Sequence, residues 1–142
     1  YFSALGENEQ KMRLARAIQL FTPGTPQVWY LDLFAGKNNC QAIKDGDACC
    51  HKEINRTNLS LKAVAAGLER TVVRDQLRML RLRNTSPAFR GRLELGRTSE
   101  SGLEMRWING AAKATLRADL IDFGFSITAT AGPGEEKIMS FP

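Results

Sequence analysis

Apolar residues recur at helical spacing near the start of the chain. Between Glu7 and Phe21 they fall three to four positions apart, and Glu9 lies close to the beginning of this segment. A carboxylate at the N-terminal end of a helix is favourable because it faces the positive end of the helix dipole. The sequence TPGTP at residues 22–26 contains two prolines and a glycine, which predict a turn that ends the helix.

A run that is apolar on both faces follows this turn. The segment QVWYLDLFAG, residues 27–36, is rich in aromatic and aliphatic side chains, and this predicts a strand covered on both sides, as in a parallel sheet. Residues 36–60 are rich in Gly, Asn, Asp and Lys without any period, which predicts a long and functional loop. A second helical region is predicted from Ser60, ending at residues 84–87.

The last third of the chain alternates apolar and polar residues. The dipeptide Asn109-Gly110 lies between two alternating runs and is a strong signal for a β-hairpin. The apolar members are Leu103, Met105 and Trp107 before the turn, and Ala112, Ala114, Leu116, Ala118, Phe123, Phe125 and Ile127 after it. Ile138 and Ser140 continue the period of two more faintly. This pattern predicts an antiparallel sheet.

The order of these elements predicts an α/β fold class with an appended β domain. Residues 1–90 carry the helical segments, the apolar run and the long loop, as expected for the last part of an α/β domain. Residues 91–142 carry the alternating segments, and we expect them to form a small antiparallel β domain.

Composition changes this picture only slightly. The 142 residues are 43% hydrophobic and 25% charged, which is typical of a globular protein. The net charge of +5 is compatible with anionic partners but does not define a fold.

Three cysteines at irregular spacing argue against a disulfide framework, so a reducing, cytoplasmic location is expected. The 142 residues contain no run of 18 apolar residues, and their first residues lack the pattern expected of a signal peptide. Since it begins at Tyr1, we expect a piece of a longer protein.

A row of arginines lies on the second predicted helical region. Its members are Arg70, Arg74, Arg78 and Arg81. Their spacing of three and four places them on one side of a helix, as in some nucleic-acid-binding helices. No aromatic or groove-reading residues accompany the row, so a solvated outer face is favoured and no nucleic acid or membrane partner is expected.

Residues in or beside the long loop could bind a metal or perform acid–base chemistry. The metal candidates are Cys40, Cys49, Cys50 and His51, and the carboxylates are Asp32, Asp45, Asp47 and Glu53. Adjacent cysteines rarely bind the same ion, so neither a metal nor another cofactor is expected. The spacing of the carboxylates does not require a facing pair. For Asp32 a structural hydrogen bond is favoured.

Arg56 is the most informative residue of the segment HKEINRTNLS, residues 51–60. If Ile54 anchors the loop in the core, the five donors of the arginine can hold a carboxylate or neighbouring hydroxyl groups. An ordinary salt bridge within the loop is an equally good interpretation of these residues.

Three ordered segments resemble a known family. YFSALGENE, RAIQLFTPGTPQVWYLDLFAGKNN and HKEINRTNLS are similar to successive parts of the sucrose phosphorylase group in the α-amylase superfamily, glycoside hydrolase family thirteen. The similarity runs from Tyr1 to about Phe89. It implies that residues 1–90 are the C-terminal part of a (β/α)8 barrel, with PQVWYLDLFAG as the eighth strand and the functional loop after it.

The resemblance also implies a function and a site. The family transfers an α-glucosyl group to phosphate through a covalent intermediate on a carboxylate. By this resemblance Arg56, supported by Asn55, binds the sugar, and His51 and Lys52 are candidates for the acceptor side. The catalytic carboxylates would lie before Tyr1. The chain alone is therefore expected to be inactive and to associate through exposed barrel surface. The expected partners of the protein are the sugar, inorganic phosphate and the missing N-terminal part of the barrel.

Some residues differ from the family pattern. Asn39 stands where aspartate is frequent, and Cys49 and Cys50 replace small residues. The sequence HKEINR, in place of an arginine-led motif, favours relatives that act on glucosylglycerate or a sucrose phosphate. Two alternatives remain: a hydrolase or transglucosylase of the same superfamily, and a non-catalytic basic binding module with salt-sensitive affinity.

Overall fold

The computed structural model describes residues 1–39, 54–96, 98–132 and 136–141, in which helices precede a five-stranded sheet. The helices are α1 (Glu9–Phe21), α2 (Tyr30–Leu33), α3 (Leu61–Leu68) and α4 (Thr71–Thr85), with 3-10 turns at Ser3–Leu5 and Pro87–Arg90. The strands are β1 (Arg92–Leu95), β2 (Gly102–Asn109), β3 (Ala112–Asp119), β4 (Phe125–Thr130) and β5 (Glu136–Phe141).

Side-chain caps define where two of the predicted helices begin. The Asn8 side chain accepts a hydrogen bond from the Lys11 amide at 2.9 Å, and the Ser60 hydroxyl accepts one from the Ala63 amide at 3.1 Å. Glu7 has a left-handed φ of 56°, so α1 begins after it at Glu9. The predicted helices are confirmed, and the second region forms two consecutive helices, α3 and α4.

The strand predicted for residues 27–36 is wrong. Tyr30–Leu33 form the short helix α2, and the flanking residues are irregular. A buried parallel strand needs neighbouring strands to bond its backbone groups. In the described part of the chain the sheet pairs are all antiparallel and involve other residues. The segment therefore satisfies its backbone locally, as in the 3.0 Å bond from the Leu33 amide to the Trp29 carbonyl.

The predicted hairpin and the antiparallel sheet are confirmed. The strands lie in the order β1-β2-β3-β4-β5, so each strand pairs with its neighbour in sequence. Asn109 is paired with Ala112 at the end of the predicted hairpin, and Gly110 in the turn has a φ of 58°, which favours glycine. Strand β1 was not predicted, because its four residues are too few to show a clear alternation.

The apolar face of β5 differs from the prediction. Ile138 is 64% exposed, whereas Met139 and Phe141 are buried. The register explains this difference, since Phe141 is paired with Phe125 of β4, a residue on the core face. Their rings stack with centroids 4.6 Å apart. Position within the sheet, rather than the faint period of the sequence, decides which residues of β5 are buried.

The helix pair α1 and α4 is buried on two sides. One face packs against the sheet in a cluster that includes Leu20 and Phe21 of α1, Met79 of α4 and Leu116 of β3. A second cluster contains Phe2, Met12, Ala35, Val72 and Val73. The first cluster crosses residue 90, so the helices and the sheet share a core. The division into domains of residues 1–90 and 91–142 stays a prediction.

Trp107 joins the end of α1 to the sheet. Its indole N–H donates a 2.8 Å hydrogen bond to the carbonyl of Phe21. The ring of Phe89 lies between the two, 5.1 Å from Phe21 in an edge-to-face arrangement and 5.8 Å from Trp107. Edge-to-face packing adds to the stabilisation from burial, so this contact fixes α1 on the sheet.

We predict that Gly91→Ala destabilises the fold. A Cβ atom at this position would lie 1.8 Å from the carbonyl oxygen of Ile108, a backbone atom that cannot move without disturbing the pairing of β1 with β2. The free energy of unfolding should fall by about 1–3 kcal/mol, as measured by urea denaturation monitored by circular dichroism. Gly132→Ala is the matched control, because a Cβ there meets nothing within 4 Å. Equal stability of the two variants would contradict the prediction.

Candidate substrate-binding segment and the adjacent cleft

Asn55 and Arg56 lie on an exposed segment that follows the long loop. Ile54 and Asn55 form a turn, and an irregular stretch continues from Arg56 to α3. His51, Lys52 and the metal candidates Cys40, Cys49 and Cys50 lie outside the described residues. Within the described ranges, no group of three His, Cys, Asp or Glu side chains is arranged to hold a metal ion.

Two aromatic side chains hold the backbone on either side of Arg56. The indole N–H of Trp29 donates to the carbonyl of Asn55 at 2.8 Å, and the hydroxyl of Tyr30 donates to the carbonyl of Thr57 at 3.0 Å. The two rings are neighbours, with centroids 5.0 Å apart and planes inclined by 48°. The start of α2 is thereby bonded to the segment that carries the predicted sugar-binding residues.

A third hydrogen bond holds the base of this segment. The amide of Asn39 donates to the carbonyl of Ile54 at 2.7 Å. The amide of Asn38 in turn bonds the Ser3 hydroxyl at 2.9 Å, which ties this part of the chain to the first 3-10 turn. Asn39 and Ile54 are therefore adjacent in the structure, although 15 positions separate them in sequence.

A cleft of about 280 Å³ lies between this segment and the helices. It is lined by Tyr1, Arg16, Gln19, Gln27, Trp29, Asp32 and Asn55. These residues provide aromatic, amide, carboxylate and guanidinium groups within one concave surface. Such a combination can bind a polar organic molecule by hydrogen bonds and by contact with the ring. Asn55 is the predicted site residue in this lining.

Arg16 is a buried residue of the cleft that the sequence analysis missed. Its side chain is 2% exposed, and its Nε donates to the Gln76 side-chain oxygen at 2.8 Å. Its Nη1 donates to the Gln19 side-chain oxygen. The Gln76 amide nitrogen donates to the carbonyl of Leu33 at 2.9 Å. These bonds connect α1 and α4 with α2. The signal in the sequence was an arginine within the apolar face of a predicted helix.

The charge of Arg16 influences the cleft above it. Burial lowers the pKa of the Arg16 guanidinium, while the charges of Tyr1 and Asp32 act in the opposite direction. Burial also raises the pKa of the Tyr1 phenol, whose ring centroid lies 5.4 Å from the Arg16 Cζ. An arginine remains protonated at any physiological pH. The floor of the cleft is therefore cationic, with the Asp32 carboxylate beside it.

The arginine row has mixed roles. Arg74, Arg78 and Arg81 are exposed, as the outer-face interpretation predicts. Arg70, by contrast, is half-buried and has a structural role. It donates a 2.8 Å hydrogen bond to the carbonyl of Phe34 and forms a 2.6 Å ion pair with Glu9. This residue holds the end of α2 against the start of α4.

We predict that Gln76→Leu lowers stability by about 2–3 kcal/mol, because it leaves the buried Nε of Arg16 without its acceptor. Urea unfolding would measure the change. Gln10→Leu is the matched control, since the side chain of Gln10 makes an exposed hydrogen bond to the carbonyl of Asp122, and a change of about 0.5 kcal/mol or less is expected. A loss at residue 76 no larger than that at residue 10 would contradict the prediction.

Several curated proteins are similar to this chain in sequence. No family model matches the chain. It is 60% identical to the sucrose 6(F)-phosphate phosphorylase of Ilumatobacter coccineus over 128 residues, which are 90% of this chain and 24% of that protein. It is 35% identical to the sucrose 6(F)-phosphate phosphorylase of Thermoanaerobacterium thermosaccharolyticum, over 96% of this chain and 28% of that protein. The glucosylglycerol phosphorylase of Marinobacter adhaerens is 35% identical over 84% of this chain and 25% of its own length.

A solved structure agrees with these relatives. The crystal structure of sucrose 6F-phosphate phosphorylase from Thermoanaerobacter thermosaccharolyticum matches 99% of this chain with a TM-score of 0.90 and 33% identity. The chain covers 28% of that structure. The predicted fold class, the end of an α/β domain followed by a small antiparallel sheet, is confirmed by this match, although residues 27–36 do not form the predicted strand.

The chain is thus similar to glycosyl phosphorylases in both sequence and fold. Within that class, the resemblance to the sucrose phosphorylase group that three sequence segments indicated is confirmed. The chain spans about a quarter of the length of the curated relatives that it matches. No described helix has the length and apolar character needed to cross a membrane.

Proposed function

We propose that this chain is part of a retaining glycosyl phosphorylase. The complete polypeptide would reversibly transfer an α-glucosyl group from a glucoside to inorganic phosphate, giving α-glucose 1-phosphate, in the cytoplasm and without a cofactor. The observation that carries the proposal is the 60% identity to a sucrose 6(F)-phosphate phosphorylase across 90% of the chain. The TM-score of 0.90 to a structure of the same name supports it.

Sucrose 6F-phosphate is the substrate we propose first. Two of the relatives described above and the solved structure carry that name. The HKEINR sequence favours an anionic glucoside for an independent reason, namely its departure from the arginine-led motif. We assign His51 and Lys52 to the acceptor side, where a cationic side chain would attract the phosphate group of the substrate. Sucrose and glucosylglycerol are the competing substrates, after other relatives.

In the proposed reaction, one part of the polypeptide carries the catalytic carboxylates and this chain carries residues that bind the sugar. In a retaining transfer a carboxylate displaces the leaving group from the anomeric carbon, and a carboxylic acid protonates the departing oxygen. Phosphate then attacks the glucosyl-enzyme and releases the carboxylate. These carboxylates belong to the part of the polypeptide outside this chain. Arg56 and Asn55 bind and orient the glucosyl group, because a planar fork of donors matches a carboxylate or two hydroxyl oxygens.

The test of the proposal uses the complete protein. It is incubated with orthophosphate and, in separate reactions, sucrose 6F-phosphate, sucrose, glucosylglycerol and glucosylglycerate, and glucose 1-phosphate is quantified. Phosphate-dependent product supports the phosphorylase and identifies its substrate. Release of free glucose alone would overturn phosphorolysis in favour of a hydrolase, and no turnover of any glucoside would overturn the enzymatic function.

We predict that the 142-residue chain alone is inactive, because it lacks the proposed catalytic carboxylates. It should release no glucose 1-phosphate above a no-protein control. Exposed apolar side chains on Trp29, Tyr30, Leu61 and Leu68 should also make it associate as concentration rises. Activity assays and sedimentation velocity measure the two effects. Turnover by the isolated chain would contradict the assignment of catalysis to the rest of the protein.

We predict that Arg56→Ala in the complete protein lowers kcat/KM by about a hundredfold or more. The loss corresponds to about 3 kcal/mol, since a partner carboxylate or sugar hydroxyls would lose a charged, bidentate donor. Arg56→Lys should recover little, because a lysine cannot supply the fork. Arg74→Ala is the control, as this exposed arginine bonds only to the nearby Glu69 carbonyl among the contacts described. A value for Arg56→Ala within about threefold of wild type would refute the role.

A further inference from the structure

We propose that Trp29 and Tyr30 are positioning residues for Arg56. The polar ends of their side chains bond the two carbonyls that flank this arginine and so direct its guanidinium towards the glucosyl group. The inference rests on the proposed function of Arg56. Trp29 and Tyr30 would thus serve the site by holding its backbone, without contacting the substrate themselves.

The geometry makes the two bonds act on one residue. The carbonyl of Asn55 belongs to the peptide unit that precedes Arg56, and the carbonyl of Thr57 belongs to the unit that follows the next residue. Fixing the backbone on both sides restricts the φ and ψ angles of Arg56. The direction of the Cα–Cβ bond, and with it the reach of the side chain, depends on those angles.

Burial alone does not account for the aromatic pair. Within this chain Trp29 is 41% exposed and Tyr30 is 37% exposed, so packing against the described residues does not by itself explain these two side chains. Their polar atoms nevertheless lie 2.8 Å and 3.0 Å from carbonyl oxygens that are 26 and 27 positions away in sequence. A phenylalanine at either position would keep an apolar ring and lose the hydrogen bond. The tests below use that difference.

The aromatic pair stands on a fixed support. The carbonyl of Leu33, in the same short helix as Tyr30, accepts a 2.9 Å bond from the buried Gln76 amide. The carbonyl of Phe34 accepts a 2.8 Å bond from Arg70. Both donors come from the region of α4, which packs on α1 and the sheet. A positioning residue requires such a rigid base, because movement of the base would be transmitted to Arg56.

The kinetic test uses Trp29→Phe, Tyr30→Phe and the double variant of the complete protein. We expect kcat/KM for phosphorolysis to fall by about tenfold in each single variant, since a misplaced binding group lowers the rate even when it is still present. In an Arg56→Ala background the same substitutions should have almost no further effect, because there is no guanidinium left to position. Trp107→Phe is the control; it also removes an indole donor to a carbonyl, but within the core, and should lower Tm while leaving kcat/KM unchanged.

A second measurement reports on position without activity. Hydrogen exchange of the peptide covering residues 54–60, measured by mass spectrometry on the complete protein, should become faster in the Trp29 and Tyr30 variants and remain unchanged in Trp107→Phe. Unchanged kcat/KM with unchanged exchange would overturn the proposal. An equal loss of activity in the Arg56→Ala background would also overturn it. An inactive wild-type protein would instead refute the proposed function, whatever the exchange result.

Discussion

The buried guanidinium of Arg16 is the constraint on which the helical part of the structure depends. A charged group inside the fold must have acceptors, because an unpaired one would cost several kcal/mol. Gln76 provides one, and through its amide it also holds the Leu33 carbonyl. One buried network thus sets the positions of α1, α4 and α2 together. The Leu33 carbonyl that Gln76 holds lies in the same short helix as Tyr30.

The sheet contributes by fixing the helices from the opposite side. Trp107 bonds the last carbonyl of α1 and packs with Phe89 against Phe21. The helix pair is consequently held between an apolar sheet face and the segment that leads to the proposed site. The sheet therefore contributes to the stability of the helix pair, while the backbone on either side of Arg56 is held by the separate bonds from Trp29 and Tyr30.

The sequence predicted the elements whose signals are local. Helical spacing with an acidic residue near the start located α1, Ser60 marked the start of α3, and Asn109-Gly110 located the central hairpin, since these signals act between near neighbours. The strand at residues 27–36 was predicted wrongly, because an apolar run alone does not supply partner strands. Arg56 was selected by its motif and by a resemblance, whereas Arg16 was overlooked. Charge at one position says little about burial, which depends on the packing of several elements.

The sequence by itself determined helices α1, α3 and α4, the alternation of the strands around the central hairpin, the position of the turn between β2 and β3 and the similarity to sucrose phosphorylases. The tertiary structure decided the buried face of β5, the helical form of α2 and the support of the segment around Arg56. These features depend on contacts between distant residues, such as the bond from Trp29 to Asn55. Local pattern fixes what a segment prefers, but the groups available in three dimensions decide which backbone atoms find partners and which side chains are covered.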